Sequence, residues 1–309
     1  MKEIIIAEPL NISKELLSSL INSFPFPDCH FTYYDTKPGS QDELGKRIVN
    51  ADIAVIANCP FTSEALKMAS NLKYICVAFT GTDHVDINYC KSKQIQVSNC
   101  AGYSTASVAE LVIGYILSLY RKLRNTDPSR QSTFSGLEIS GKKIGIIGTG
   151  AIGLQVASLA KAFGADVYGY SRTPNKPEIE YLSLNKLLKT CDIISIHTPL
   201  NEETEYLIGL KELSMMKETS ILINTARGKI VDYTALATIL KKHSIAGAAI
   251  DVYENEPPIS KTHPLLTAPN TILTPHIGFN TKEAMIRRID IVFDNIQNWI
   301  RGTQKNIIC

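Results

Sequence analysis

Lys143-Ile144-Gly145-Ile146-Ile147-Gly148-Thr149-Gly150-Ala151-Ile152-Gly153-Leu154-Gln155-Val156-Ala157-Ser158-Leu159-Ala160 is the stretch that decides the fold of this chain. Its first five residues are an apolar run that reads as a buried strand, and the run from Leu154 to Ala160 reads as a helix. Between them stands Gly148-x-Gly150-x-x-Gly153. On its own such a glycine pattern is weak. Set between a strand and a helix, it describes a tight turn, a close backbone approach to a pyrophosphate, and close helix–strand packing. Ala151 and Ile152 lie at the helix N-terminus, whose free N–H groups and partial positive charge favour phosphate. The stretch predicts a dinucleotide-binding βαβ unit.

The next strand selects the dinucleotide. A site for NAD places an acid about 20 residues beyond the glycines, on the ribose 2′-hydroxyl. Here the chain reads Asp166-Val167-Tyr168-Gly169-Tyr170-Ser171-Arg172-Thr173. Asp166 begins the strand, at the wrong end of a sheet for this role. The strand ends on Ser171 and Arg172 with no acid. A guanidinium forks onto a phosphate, and Ser171 and Thr173 can donate hydrogen bonds. The reading favours NADP, with NAD as the alternative.

Working outward, short β-rich runs alternate with helical patterns, the mark of parallel α/β folds. Upstream strands are expected at 4–7, 31–34, 52–57 and 73–79, with helices near 13–21, 42–50 and 63–69. A long helix, apolar nearly all round, is expected from 105 to 123 and should be buried. The polar stretch 124–135, with Pro128, reads as a loop. Later strands are expected at 143–147, 166–170, 192–197, 220–224, 246–250 and 271–274, and a last helix at 282–300.

With 309 residues, two domains are expected. The net charge is +2, from 32 basic and 30 acidic residues without a basic tract, so no nucleic-acid surface is expected. No apolar run nears the ~20 residues that span a bilayer, and the N-terminal Met1–Pro9 reads as a strand rather than a leader. Seven scattered cysteines form no CxxC pair. Neither a disulfide framework nor a metal site is expected, and a cytoplasmic protein with reduced thiols is.

Three charged residues follow successive strands of the second half: Arg227 in Asn224-Thr225-Ala226-Arg227-Gly228, Glu256 in Asp251-Val252-Tyr253-Glu254-Asn255-Glu256-Pro257, and His276 in Thr274-Pro275-His276-Ile277-Gly278. Beyond the carboxyl ends of parallel strands is where open α/β sheets place ligands. An arginine can hold a carboxylate, and a histidine beside a carboxylate can give up a proton near neutral pH. Next to a nicotinamide, that set reduces a 2-keto acid or oxidises a 2-hydroxy acid.

With these segments quoted, and with Gly81-Thr82-Asp83-His84-Val85-Asp86, Ser107-Val108-Ala109-Glu110 and His197-Thr198-Pro199-Leu200, the chain resembles a D-isomer-specific 2-hydroxyacid dehydrogenase over nearly its whole length. The resemblance implies a Rossmann cofactor domain, residues 100–280, inserted into a flavodoxin-like substrate domain, residues 1–99 with 281–309. It implies a homodimer built on the cofactor domains. Arg227 would bind the substrate carboxylate and carbonyl oxygen, with backbone N–H groups of Thr80 and Gly81 on the other carboxylate oxygen. His276 would be the acid/base, and Glu256 its partner. Asp251 would face the nicotinamide end and Thr198 and Pro199 the adenosine side, with Thr204, Thr225, Ala226 and Gly278 also lining the cofactor.

Departures from the family pattern narrow the substrate. Longer phosphoglycerate dehydrogenases carry a C-terminal regulatory domain, whereas this chain ends at Cys309. Ala57-Asn58-Cys59-Pro60 stands where phosphoglycerate members carry arginines. Glu256 stands where formate dehydrogenases use glutamine. The 124–136 loop is short and lacks a tryptophan often found there. The expected function is reduction of glyoxylate or hydroxypyruvate with NADPH. The rivals are an NAD-linked dehydrogenase of D-lactate or a bulkier acid and, from another class, a dinucleotide-sensing corepressor-like protein. His30, His243 and His263 are expected to be surface or loop residues.

Overall fold

The computed structural model describes residues 1–123, 135–255 and 258–309. They form two compact units, Met1–Ser104 with Thr281–Cys309, and Thr105–Asn280. The first change of unit falls at the start of the long apolar helix. Among the described residues, no helix is long and apolar enough to cross a membrane.

The first unit runs β1 (Lys2–Ile6), α1 (Lys14–Asn22), β2 (Cys29–Tyr33), α2 (Gln41–Ile48), β3 (Ile53–Ile56), α3 (Ser63–Leu66), β4 (Tyr74–Val77), α4 (Ile87–Ser92) and β5 (Gln96–Ser98). The strands pair in parallel in the order β2-β1-β3-β4-β5, the flavodoxin-like order. The interior strands β3 and β4 are buried throughout, as expected of a sheet covered on both faces. Side-chain caps set the helix starts: Ser13 Oγ accepts from Leu16 N and Ser40 Oγ from Glu43 N. The sequence pattern gave no sign of α4 or β5. Both are short, and β5 is partly polar.

The second unit runs α5 (Thr105–Tyr120), β6 (Lys143–Ile147), α6 (Ala151–Ala162), β7 (Asp166–Tyr170), β8 (Glu180–Tyr181), α7 (Leu184–Thr190), β9 (Ile193–Ile196), α8 (Leu210–Leu213), β10 (Ile221–Asn224), α9 (Tyr233–Lys241), β11 (Gly247–Ile250) and β12 (Thr271–Leu273). Its sheet order is β12-β11-β10-β9-β6-β7-β8. Counted from β6, this is the 3-2-1-4-5-6 order of a Rossmann sheet with one strand more. The expected strands β6 and β7 appear at their expected bounds. The two-residue β8 is too short to leave a pattern. The expected loop at 124–135 lies almost wholly outside the described residues.

The last helix, α10 (Lys282–Arg301), returns to the first unit. Phe293 stacks on Phe31 and Trp299 on Tyr74, burying its apolar stripe. Gly302, at φ +75°, ends the helix in the left-handed conformation that suits glycine.

Candidate active site

The glycine turn follows β6. Gly148 has φ +95°, and a Cβ there would meet the His197 carbonyl at 2.6 Å. A Cβ on Gly153 would meet the Gly148 oxygen at 2.1 Å. Both glycines are demanded by backbone packing. Gly150 differs: it caps α6, and its Cβ would project into open space. That space lies before the N-terminus of a 12-residue helix, whose first N–H groups have no partner within the helix. A pyrophosphate fits a cradle that a side chain would fill. Ala151 and Ile152 form its rim.

Ser171, Arg172 and Thr173 follow β7. Ser171 Oγ accepts from Thr173 N at 3.3 Å. The exposed Arg172 guanidinium pairs with Glu203, Nη1 to Oε2 2.7 Å. The sequence reading did not single out Glu203. Thr198 and Pro199 lie beyond β9. Thr204 closes the turn after them: its hydroxyl donates to Pro199 O at 2.7 Å, and Asn201 N donates to that hydroxyl at 2.8 Å. His197, before this loop, has its Nε2 2.8 Å from Ser195 Oγ, and desolvation pushes its pKa well below the usual histidine range.

Beyond β10, Asn224 builds the turn that carries Arg227. Its Oδ1 accepts from Ala226 N at 3.0 Å, and its Nδ2 donates to Arg227 O and to Tyr233 Oη, both at 2.9 Å. Tyr233 Oη donates to Val252 O at 2.6 Å. A Cβ on Gly228 would overlap the Tyr253 carbonyl at about 2 Å, so the arginine turn packs directly on the segment leading to residue 256. Thr225 Oγ1 is buried with no hydrogen-bond partner among the described residues, an orphan that a bound cofactor's polar atoms would satisfy.

His276 follows β12 with φ +55°, a left-handed conformation that costs a non-glycine residue of order 1–3 kcal/mol. Asp251, beyond β11 and 1% exposed, holds it there. The carboxylate accepts from Ile277 N and Gly278 N, both at 2.8 Å, and from Thr274 Oγ1 at 2.6 Å. Tyr115 of α5 completes the group through Thr274. Phe279 packs edge-on against the His276 imidazole, with centroids 5.2 Å apart.

One carboxyl edge of the second unit's sheet thus collects the glycine cradle, Arg172, Thr198, Thr225, Arg227, Asp251 and His276. Glu256 lies outside the described residues. His263 is a loop residue, as expected, but not a surface one: it is mostly buried, pairs with Glu254 (Nε2 to Oε2 3.1 Å), and packs edge-on against Tyr233 and Tyr253. Its position between two predicted elements gave no sign of this.

Thr80 and Gly81 belong to the first unit, beyond β4. Asn99 Nδ2 donates to Thr80 O at 2.7 Å, and Asn295 of α10 donates to Asn99 O at 2.9 Å. The fully buried Arg288 guanidinium lies over Phe79 and donates to Leu10 O. The buried Glu8 carboxylate accepts from Ala57 N and Cys59 N at 2.7 and 2.9 Å. These supporting side chains were not found from sequence. Each stands in an ordinary-looking run.

The family model for the NAD-binding domain of D-isomer-specific 2-hydroxyacid dehydrogenases matches residues 113–278. A glycerate dehydrogenase of Methylorubrum extorquens is 35% identical over 96% of this chain and 97% of its own length. A hydroxypyruvate reductase of Thermotoga maritima is 38% identical over 81% of this chain and 85% of its own. The chain spans about half (52%) of a Methanocaldococcus jannaschii D-3-phosphoglycerate dehydrogenase, at 37% identity over 85% of this chain. Among solved structures, an acyclic imino acid reductase in complex with NADPH and D-Arg superposes with TM-score 0.90, at 31% identity over 99% of this chain and 100% of that one. The chain belongs to the D-isomer-specific 2-hydroxyacid dehydrogenases, and with them to the NAD(P)-dependent oxidoreductases.

Proposed function

We propose that this chain reduces small 2-keto acids, glyoxylate or hydroxypyruvate, to D-2-hydroxy acids, with NADPH as the preferred reductant. The observation that carries the proposal is the gathering of the phosphate cradle, Arg227 and His276 at one sheet edge. The names of its relatives support the substrate class, and Arg172 and the NADPH-bound neighbour support the reductant.

When bound, the reduced nicotinamide supplies the hydride. Arg227 then holds the substrate carboxylate and stabilises the negative charge that develops on the keto oxygen. Thr80 and Gly81 N–H groups take the second carboxylate oxygen. His276 gives its proton to the keto oxygen, with Glu256 as its partner. Asp251 acts through the backbone, by fixing the strained loop of His276. No metal takes part in this chemistry. The chain would work in the cytoplasm, where its seven free thiols suit a reducing environment, as a homodimer built on the second unit. Residues 281–309 would serve the substrate domain.

The test is loss of reduced-nicotinamide absorbance with glyoxylate, hydroxypyruvate, pyruvate and phenylpyruvate, each with NADPH and with NADH. Fast turnover of the two smaller polar acids with NADPH is expected. Turnover only with NADH and pyruvate or phenylpyruvate would instead identify an NAD-linked D-lactate or bulkier-acid dehydrogenase. Because of the imino acid reductase neighbour, the panel is repeated with ammonium present; a rate that depends on ammonium would move the substrate from keto to imino acid. Dinucleotide binding without any turnover would favour a sensor.

A further inference from the structure

The Arg172–Glu203 pair joins two loops that follow different strands. Arg172 comes just after β7, where the sequence lacks the acid of an NAD site. Glu203 comes from the loop after β9. That loop passes against the glycine turn, since the His197 carbonyl lies where a Gly148 Cβ would be. It is held in shape by its own side chains: Asn201 Oδ1 accepts from Glu203 N at 3.0 Å and Thr204 N at 3.1 Å, and Thr204 is tied to Pro199. Glu203 therefore reaches Arg172 from a fixed backbone. A carboxylate stands at the end of the second Rossmann strand after all, supplied from a distance in sequence.

We infer that Glu203 is a selectivity residue, and that the Arg172–Glu203 ion pair lets one site take either dinucleotide. The inference rests on the cofactor reading of the Arg172 region. With NADPH, Arg172 leaves Glu203 and pairs with the 2′-phosphate, while the Glu203 charge opposes that anion. With NADH, Arg172 keeps its hold on Glu203, whose free carboxylate oxygen accepts from the ribose 2′-hydroxyl. Both side chains are largely exposed, at 75% and 64%, so the pair is weak enough to be exchanged.

The experiment is calorimetric titration of NADPH and NADH into the wild type, Glu203→Gln, Arg172→Gln and the double variant, with thermal unfolding to show each is folded. Glu203→Gln should bind NADPH about three- to fivefold tighter, the scale of one exposed ion pair. It should bind NADH about five- to tenfold more weakly, the scale of one charge-assisted hydrogen bond. Arg172→Gln should weaken NADPH at least about tenfold and, in the double variant, leave of the Glu203→Gln effect on NADPH only what relief of the carboxylate–phosphate repulsion contributes. Glu203→Gln changing both dinucleotides equally, or neither, would overturn the inference and leave the reductase reading intact. Arg172→Gln leaving NADPH binding unchanged would instead overturn the NADP reading on which it rests.

Discussion

At the carboxyl edge of the five-stranded sheet, buried ionic side chains hold the loops. Glu8 ties down Ala57 and Cys59, Arg47 donates to Ala7 O and Thr36 O, and Arg288 reaches Leu10 O. At the carboxyl edge of the seven-stranded sheet, much of the same task falls to missing side chains and neutral groups. Gly148, Gly153 and Gly228 let backbone touch backbone, and Asn224 and Tyr233 shape the arginine turn. The one buried acid there among the described residues, Asp251, spends its carboxylate on backbone N–H groups around His276. A backbone that must pass within 3 Å of another leaves a glycine in the sequence. A loop held by a charged side chain leaves a residue that could equally be on the surface.

The comparison breaks first at Arg227. Arg227→Gln should lower kcat/KM for the keto acid by about 100- to 1,000-fold, the cost of removing a preorganised charge stabiliser. Dinucleotide affinity should be unchanged. An equal loss in dinucleotide affinity would mean that the residue shapes the cradle instead.

Glycines of the fold and glycines of the ligand should then separate. Gly148→Ala sets a methyl against the His197 carbonyl at positive φ and should cost about 2–4 kcal/mol in denaturant unfolding. Gly150→Ala meets no neighbouring atom and should cost less than about 1 kcal/mol, yet weaken dinucleotide binding about tenfold or more. Equal stability losses would erase the distinction.

In the first unit, Glu8→Gln should destabilise by about 1–3 kcal/mol, because a charged acceptor of two backbone N–H groups becomes neutral. It should leave dinucleotide affinity untouched.

The last effect, which shows only in acid, concerns His197. Its pKa is lowered by desolvation, so below about pH 6.5 the unfolded chain binds a proton that the folded chain does not. Stability should therefore fall as pH drops below 6.5, by up to about 1.4 kcal/mol per pH unit. His197→Gln should flatten that slope, and an unchanged slope would assign it to other groups.

Legibility in the sequence follows the same division. β6, the glycine turn and β7 were readable because a buried parallel strand and a close backbone approach restrict residue type. The places of Arg227 and His276, just beyond β10 and β12, were readable because charged residues directly after apolar strands are conspicuous. Glu203, Asn224, Tyr233, Glu8 and Arg288 were not. Their roles come from contacts with residues distant in sequence, and nothing in their own neighbourhood marks them. The burial of His263 in its loop was not readable for the same reason: its partners, Glu254, Tyr253 and Tyr233, are set by the fold.

The most direct test of the account is the pH dependence of kcat/KM for keto-acid reduction in the wild type and in His276→Gln, at saturating reduced cofactor. The wild-type rate should fall as pH rises through the range where a histidine loses its proton. The variant should lose at least about 100-fold and that inflection with it. A variant that kept the wild-type profile would place the proton donor elsewhere and contradict the site as read.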